Sequence, residues 1–265
     1  MLLKRTVAIT GLILFAIFSR PVDSRETGFL DRSVVVEGNE YDYQVYVPRD
    51  YQDLEPLPVV LFLHGAGERG SDGIAQTTIG LPAAIREDAK RFPAIVVMPQ
   101  SPADGPGWQQ LGGAIAMAAL DKTVAEFSTD NKRIYLTGLS QGGNGSWYLA
   151  YHNPDRFAAV LVVCGFVEEL RGAVSGSYYP AIVTAGASDT FEQVAERIAH
   201  IPIWIFHGDE DPAVPVEQAR GMAAALEGLN ANVRYTELPG VGHNAWDDAY
   251  RSEEVIEWLF TQRQQ

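Results

Sequence analysis

From Val59 onward the chain reads as a series of short, unbroken apolar runs separated by polar, glycine-rich stretches and by segments with apolar residues at helical spacing. Val59–Leu63 (VVLFL), Ile95–Met98 (IVVM), Arg133–Leu136 (RIYL), Ala158–Val163 (AAVLVV) and Ile203–Phe206 (IWIF) lack the in–out alternation of a half-solvated sheet. Such runs suit parallel strands covered on both faces. Val233–Leu238 (VRYTEL) alternates more and belongs nearer an edge. Ahead of them, Ser33–Glu37 (SVVVE) and Tyr41–Val47 (YDYQVYV) flank Gly38-Asn39 and predict an antiparallel hairpin. Helices are expected over Gly113–Phe127, Gly142–Tyr151, Phe191–Ala199, Val216–Gly228 and Ser252–Thr261, the last carrying Val255, Ile256, Leu259 and Phe260 on one face. A hairpin followed by strand–helix alternation predicts one α/β domain. Its central sheet is mostly parallel, of about eight strands, with helices on both faces. Gly165–His200 is the least regular stretch and reads either as a small cap or as long loops.

The length, 265 residues, and a 46% hydrophobic composition fit that single domain. One cysteine excludes an intramolecular disulfide framework and a thiolate zinc cluster. A net charge of −14 argues against nucleic acid, whose phosphates need a basic footprint, and against anionic lipid. The first residues change the picture more. Lys4 and Arg5 precede an apolar run from Val7 to Phe18, and small residues follow. This is the pattern of a secretory signal, with Val22 and Ser24 at the positions for a cut after Ser24 and a cut after Ser19 as the alternative. The run falls short of the roughly 20 residues that span a bilayer. Residues 1–24 are therefore expected to be a signal peptide and 25–265 a secreted or periplasmic domain, free of the membrane once cut. An uncleaved anchor is the competing reading.

The motif that carries chemistry is Gly138-Leu139-Ser140-Gln141-Gly142. It lies between a predicted strand and a predicted helix, the setting in which a G-x-S-x-G turn exposes a nucleophilic serine. A lone serine hydroxyl is a weak nucleophile and needs a base, which a carboxylate must orient. In this architecture the partners follow in the order serine, acid, histidine. After IWIF comes His207-Gly208-Asp209-Glu210-Asp211-Pro212, and after VRYTEL comes Pro239-Gly240-Val241-Gly242-His243. His243, in a glycine-rich loop between the last strand and the last helix, is the candidate base. Asp211 is preferred to Asp209 as the acid, since Asp209 sits close behind the strand end and can cap the turn at Pro212; Glu210 ranks last. Among the other histidines, His64 is expected to brace the loop after the first central strand and His207 to bond within the acid loop. His152 and His200 sit near helix ends. The loop His64-Gly65-Ala66-Gly67 would supply one backbone N–H to an oxyanion hole, from Ala66, and the residue after the nucleophile, Gln141, the other. The acidic trio lacks EF-hand spacing, and no metal is expected.

Taken together, LHGAGERG, PQSP followed by Trp108, GLSQGGNGSW, HGDEDPAVP and GVGHNAW resemble the α/β-hydrolases over roughly residues 33–263. The likeness is nearest to the exported branch of feruloyl-esterase-like, polyhydroxybutyrate-depolymerase-like and dienelactone-hydrolase-like enzymes and predicted peptidases. It implies the α/β-hydrolase fold, a cofactor-free serine hydrolase, and Ser140, Asp211 and His243 as its triad. Dienelactone hydrolases proper carry cysteine where this chain has Ser140. The expected activity is cleavage of small-molecule or polymer-derived carboxylic esters through an acyl group on Ser140. A peptidase or amidase of the same fold, or a catalytically silent binding protein, are the alternatives. Tyr178 and Tyr179 in the irregular stretch are candidate substrate contacts. Trp108 is either a pocket residue or a surface cover. Trp147 and Cys164 read as core, and Trp246 as packing.

Overall fold

Glu37 and Gly38 both adopt positive φ, 51° and 81°, and turn the chain back on itself in two residues. This conformation matches the twist of paired strands. The hairpin so made joins β1 (Gly28–Val36) to β2 (Asn39–Val47), with Val36 opposite Asn39. The turn is therefore one residue earlier than Gly38-Asn39. The computed structural model describes residues 26–51, 55–171, 178–183 and 189–265, so the leader segment and both cut positions lie outside it.

Strand and helix then alternate: β3 (Leu57–Leu63), α1 (Leu81–Glu87), β4 (Ile95–Pro99), α2 (Leu111–Glu126), β5 (Thr129–Leu139), α3 (Gln141–His152) and β6 (Ala159–Val163). The remainder is β7 (Leu170–Arg171), β8 (Tyr178–Tyr179), α4 (Thr190–Ile198), β9 (Ile203–Gly208), α5 (Glu217–Gly228), β10 (Val233–Leu238), α6 (Trp246–Arg251) and α7 (Glu253–Thr261). Eight strands form one sheet in the order β1-β2-β4-β3-β5-β6-β9-β10. β2 pairs antiparallel with β1 and β4, and every later pair is parallel.

The unbroken apolar runs are explained by two cores. In β3, Val59, Leu61 and Leu63 face one core with Ile115 of α2, Trp147 of α3, Val194 of α4 and Met222 of α5. Val60 and Phe62 face the other with Ile85 of α1, Tyr250 of α6 and Leu259 of α7. Both faces of β3 are dry, so no position in it needs a polar residue. β10 lies at the sheet edge, and none of its residues is fully buried. Two helices were not legible in the apolar periodicity. α1 and α6 have seven and six residues, too few to show a helical repeat. Gly165–His200 is a mixture: Leu170 and Arg171 pair with Tyr179 and Tyr178 as a small separate hairpin, and α4 follows.

Candidate active site

Ser140 sits between the end of β5 and the start of α3 with φ 55° and ψ −117°. A side chain in that region costs about 1–3 kcal/mol and persists only where the surroundings enforce it. Here they do. Its N–H donates to the carbonyl of Val163 at 2.9 Å, which ties the turn to the end of β6. At Gly142, the second glycine of the motif, a Cβ would stand 1.9 Å from the Leu63 carbonyl oxygen. Only glycine lets α3 start so close to β3.

The other two side chains arrive from the next loops along the same sheet edge. Asp211 follows β9, and its Oδ1 accepts the N–H groups of Ala213 (2.8 Å) and Val214 (3.0 Å). That local turn fixes the carboxylate. Its Oδ2 lies 2.7 Å from His243 Nδ1, and His243 Nε2 lies 2.9 Å from Ser140 Oγ. The loops carrying Asp211 and His243 touch through Gly208, where a Cβ would stand 2.2 Å from the Val241 carbonyl. Asp209 turns away: its Oδ1 accepts the Gly240 N–H at 2.6 Å, so it caps the turn after β10 rather than its own. Glu210 is exposed.

Electrostatics separates these groups. Burial would raise the Asp211 carboxyl, but hydrogen bonds from His207, His243 and the Val214 N–H outweigh it and hold it well below the usual carboxylate range. Burial pushes the Cys164 thiol far up, helped by the Asp211 charge, so it stays protonated. His64, fully buried, is pushed down to about 4 by desolvation. It donates from Nδ1 to the Gly65 carbonyl (2.6 Å) and accepts the Ser101 N–H on Nε2 (2.9 Å). It braces the loop that carries Ala66.

A cavity of about 330 Å³ opens over Ser140 and His243. Ala66 and Gln141, the two residues expected to offer N–H groups, both line it, each as the first residue of a helical turn. The N–H groups of a first turn have no acceptor within the helix. Phe166, Leu170, Tyr179 and Val214 form an apolar patch that lines the cavity, joined by Ile79 and Trp246.

The family model Esterase matches residues 35–252. The chain belongs to the Esterase family. A curated relative from Aspergillus niger, described as "Probable feruloyl esterase C", is 26% identical over 212 residues, covering 78% of this chain and 69% of its own. A protein of Arthroderma benhamiae described as "Uncharacterized secreted protein" is 29% identical over 207 residues, and this chain spans about a fifth (21%) of its length. Among solved structures, a thermostable esterase is 33% identical with a TM-score of 0.71, covering 89% of this chain and 63% of that one. With that likeness the architecture is the α/β-hydrolase fold, as the motifs imply.

Within this Esterase-family chain, two expectations are corrected. Trp108 is neither a pocket residue nor a surface cover. It is fully buried, its ring packs 4.8 Å from that of His64, and its Nε1 donates to the His64 carbonyl at 2.9 Å. It supports the Ala66 loop from behind. Tyr178 and Tyr179 are adjacent in a strand and so face opposite ways. Tyr179 lines the cavity, whereas Tyr178 is 46% exposed and bonds Glu169. Trp147 is core, and Trp246 packs edge-on against the His243 ring at 5.4 Å. Phe166 and Val214 are not marked in the sequence as site residues; the available signal was an apolar residue in the loop after a strand, in GF after β6 and AVP after β9. Ligand atoms of Cys164, Asp211 and His243 lie within 4.8 Å of one another. Yet Nδ1 of His243 is engaged with Asp211 and the thiol keeps its proton, so this set does not suit a metal ion.

Proposed function

We propose that the protein is an exported serine hydrolase of carboxylic esters, with Ser140 as nucleophile, His243 as base and Asp211 as orienting acid. The observation that carries this reading is the hydrogen-bonded chain Ser140 Oγ–His243–Asp211, at 2.9 and 2.7 Å, at the floor of an apolar cavity. Ser140 Oγ attacks the ester carbonyl while His243 Nε2 takes its proton. Asp211 holds the tautomer with hydrogen on Nδ1 and stabilises the imidazolium. The N–H groups of Ala66 and Gln141 receive the developing oxyanion. His243 then gives the proton to the leaving alkoxide, and a water activated by the same nitrogen releases the acid. No step calls for a metal or an organic cofactor.

The apolar lining supports esters whose acyl group is aromatic or aliphatic, free or released from a polymer, with Tyr179 among the contacts. Residues 1–24 act as the signal peptide and 25–265 as the hydrolase domain; the basic start and apolar run support this, as does the secreted description of the fungal relative. The test is turnover of p-nitrophenyl acetate, aryl cinnamate esters and peptide amides by the purified protein and by Ser140→Ala. Ester cleavage that falls by several orders of magnitude in Ser140→Ala is expected. Ester rates unchanged in the variant, or cleavage of amides alone, would overturn the reading.

A further inference from the structure

Asp211 touches two histidines, and the triad uses only one. The second is His207, near the end of β9, whose side chain is completely buried. Its Nε2 lies 3.0 Å from the Val214 carbonyl oxygen and 3.3 Å from Asp211 Oδ2. Both neighbours are acceptors, so Nε2 carries the hydrogen and shares it between them. Nδ1 is buried with no partner among the described residues, so a hydrogen there would have nothing to bond. The Asp211 carboxylate thus has four donors: two backbone N–H groups on Oδ1, and the rings of His243 and His207 on Oδ2.

We infer that His207 is a positioning residue for ester turnover, holding Asp211 Oδ2 in place independently of the histidine that Asp211 must orient. This rests on the proposed triad. His207 belongs to a strand paired on both sides, whereas Asp211 and His243 are both on loops. Without His207, only His243 would hold Oδ2, and the orienting group would depend on the group it orients. Charge points the same way. An N–H dipole on the carboxylate draws off part of its field. Removing it leaves more negative potential at His243, favours the imidazolium, and moves the acid limb of activity to higher pH.

The other groups facing this pair leave that effect readable. The Cys164 thiol faces Asp211 and stays protonated. The exposed Asp209 and Glu210 carboxylates flank Asp211 in its own loop, and from β10 Glu237 stands opposite His207 in register. Hydrogen bonds from Arg220 and Tyr235 hold it down at about 2, so it does not titrate in the working range.

The experiment compares the wild type with His207→Phe, which fills the space without a donor, and His207→Gln, whose amide N–H reaches the Nε2 position. Across pH 5–9, His207→Phe is expected to lose about tenfold or more in kcat with little change in KM, and its acid limb to move to higher pH. His207→Gln should recover most of both. A limb that stays in place in His207→Phe, or equal losses in the two variants, would reduce His207 to a packing residue and overturn the inference. Ring NMR of the histidines supplies the answer without turnover. The wild type should show His207 with hydrogen on Nε2, and His243 should titrate at higher pH in His207→Phe. A hydrogen on Nδ1 of His207 would sink the inference even if the variant fails to fold. Wild-type protein that shows this tautomer but no esterase activity would instead overturn the proposed function alone.

Discussion

Asp209 and Asp211 stand two residues apart and are held by opposite neighbours, one by the Gly240 N–H and one by two histidines and its own loop. Asp211→Asn should keep the fold but lower kcat by about 10⁴, because the amide favours the wrong histidine tautomer. Asp209→Asn keeps an acceptor for Gly240 and should stay within a few fold of wild type, while Asp209→Ala should cost about 1 kcal/mol of stability. Steady-state kinetics beside chemical denaturation separates the two. Equal kinetic losses in Asp209→Asn and Asp211→Asn would contradict the assignment. Residue identity in this loop was legible from the motif HGDEDPAVP. The pairing of Asp211 with His243 was expected from the motifs as well, but the partner of Asp209 was not, since Gly240 is 31 residues away along the chain.

At the level of elements, the site depends on how closely the strand ends and loops approach. Gly208→Ala would push a methyl group to 2.2 Å from the Val241 carbonyl and separate the Asp211 loop from the His243 loop. We expect a lower Tm and a fall in kcat of at least tenfold. A Cβ at Gly67 meets nothing within 4 Å, and Gly67→Ala should match the wild-type Tm. Thermal melts of both variants with ester turnover check this, and an unchanged Tm in Gly208→Ala would show that the loops can part freely. The strand–turn–helix around Ser140 could be read ahead of the structure because apolar run, glycine and helix are contiguous there. The contact at Gly208 could not, because it joins segments that meet only once β9 and β10 pair.

The whole molecule should lose stability in acid, in two stages. His64 is held at about 4 when folded, against about 6.5 when unfolded. Its folded value is depressed, so the unfolded chain binds the extra proton between those values. The stabilisation is full above about pH 6.5 and lost as pH falls toward 4, on the order of 3 kcal/mol. Asp211, also depressed, contributes stability above about pH 4 that is lost below it. The Tm should therefore fall steadily from pH 7 to pH 4.5 and more steeply below. A flat Tm down to pH 4.5 would mean that His64 can be protonated in place without disturbing Gly65 and Ser101.

Local order determined what the sequence alone could determine. Continuous apolar runs encode strands buried on both faces, and glycines flanking Ser140 encode a tight turn at a strand end. The succession of strand ends then sets the order serine, acid, histidine. These signals are short-range, and burial imposes them residue by residue. Tertiary structure alone decided which loop residues meet. It placed Trp108 behind the Ala66 loop, turned Tyr179 to the cavity and Tyr178 to solvent, and tied Asp209 to Gly240. The hydrophobic effect that builds the sheet is non-directional and tolerates many loop paths, whereas a hydrogen bond near 3 Å accepts very few.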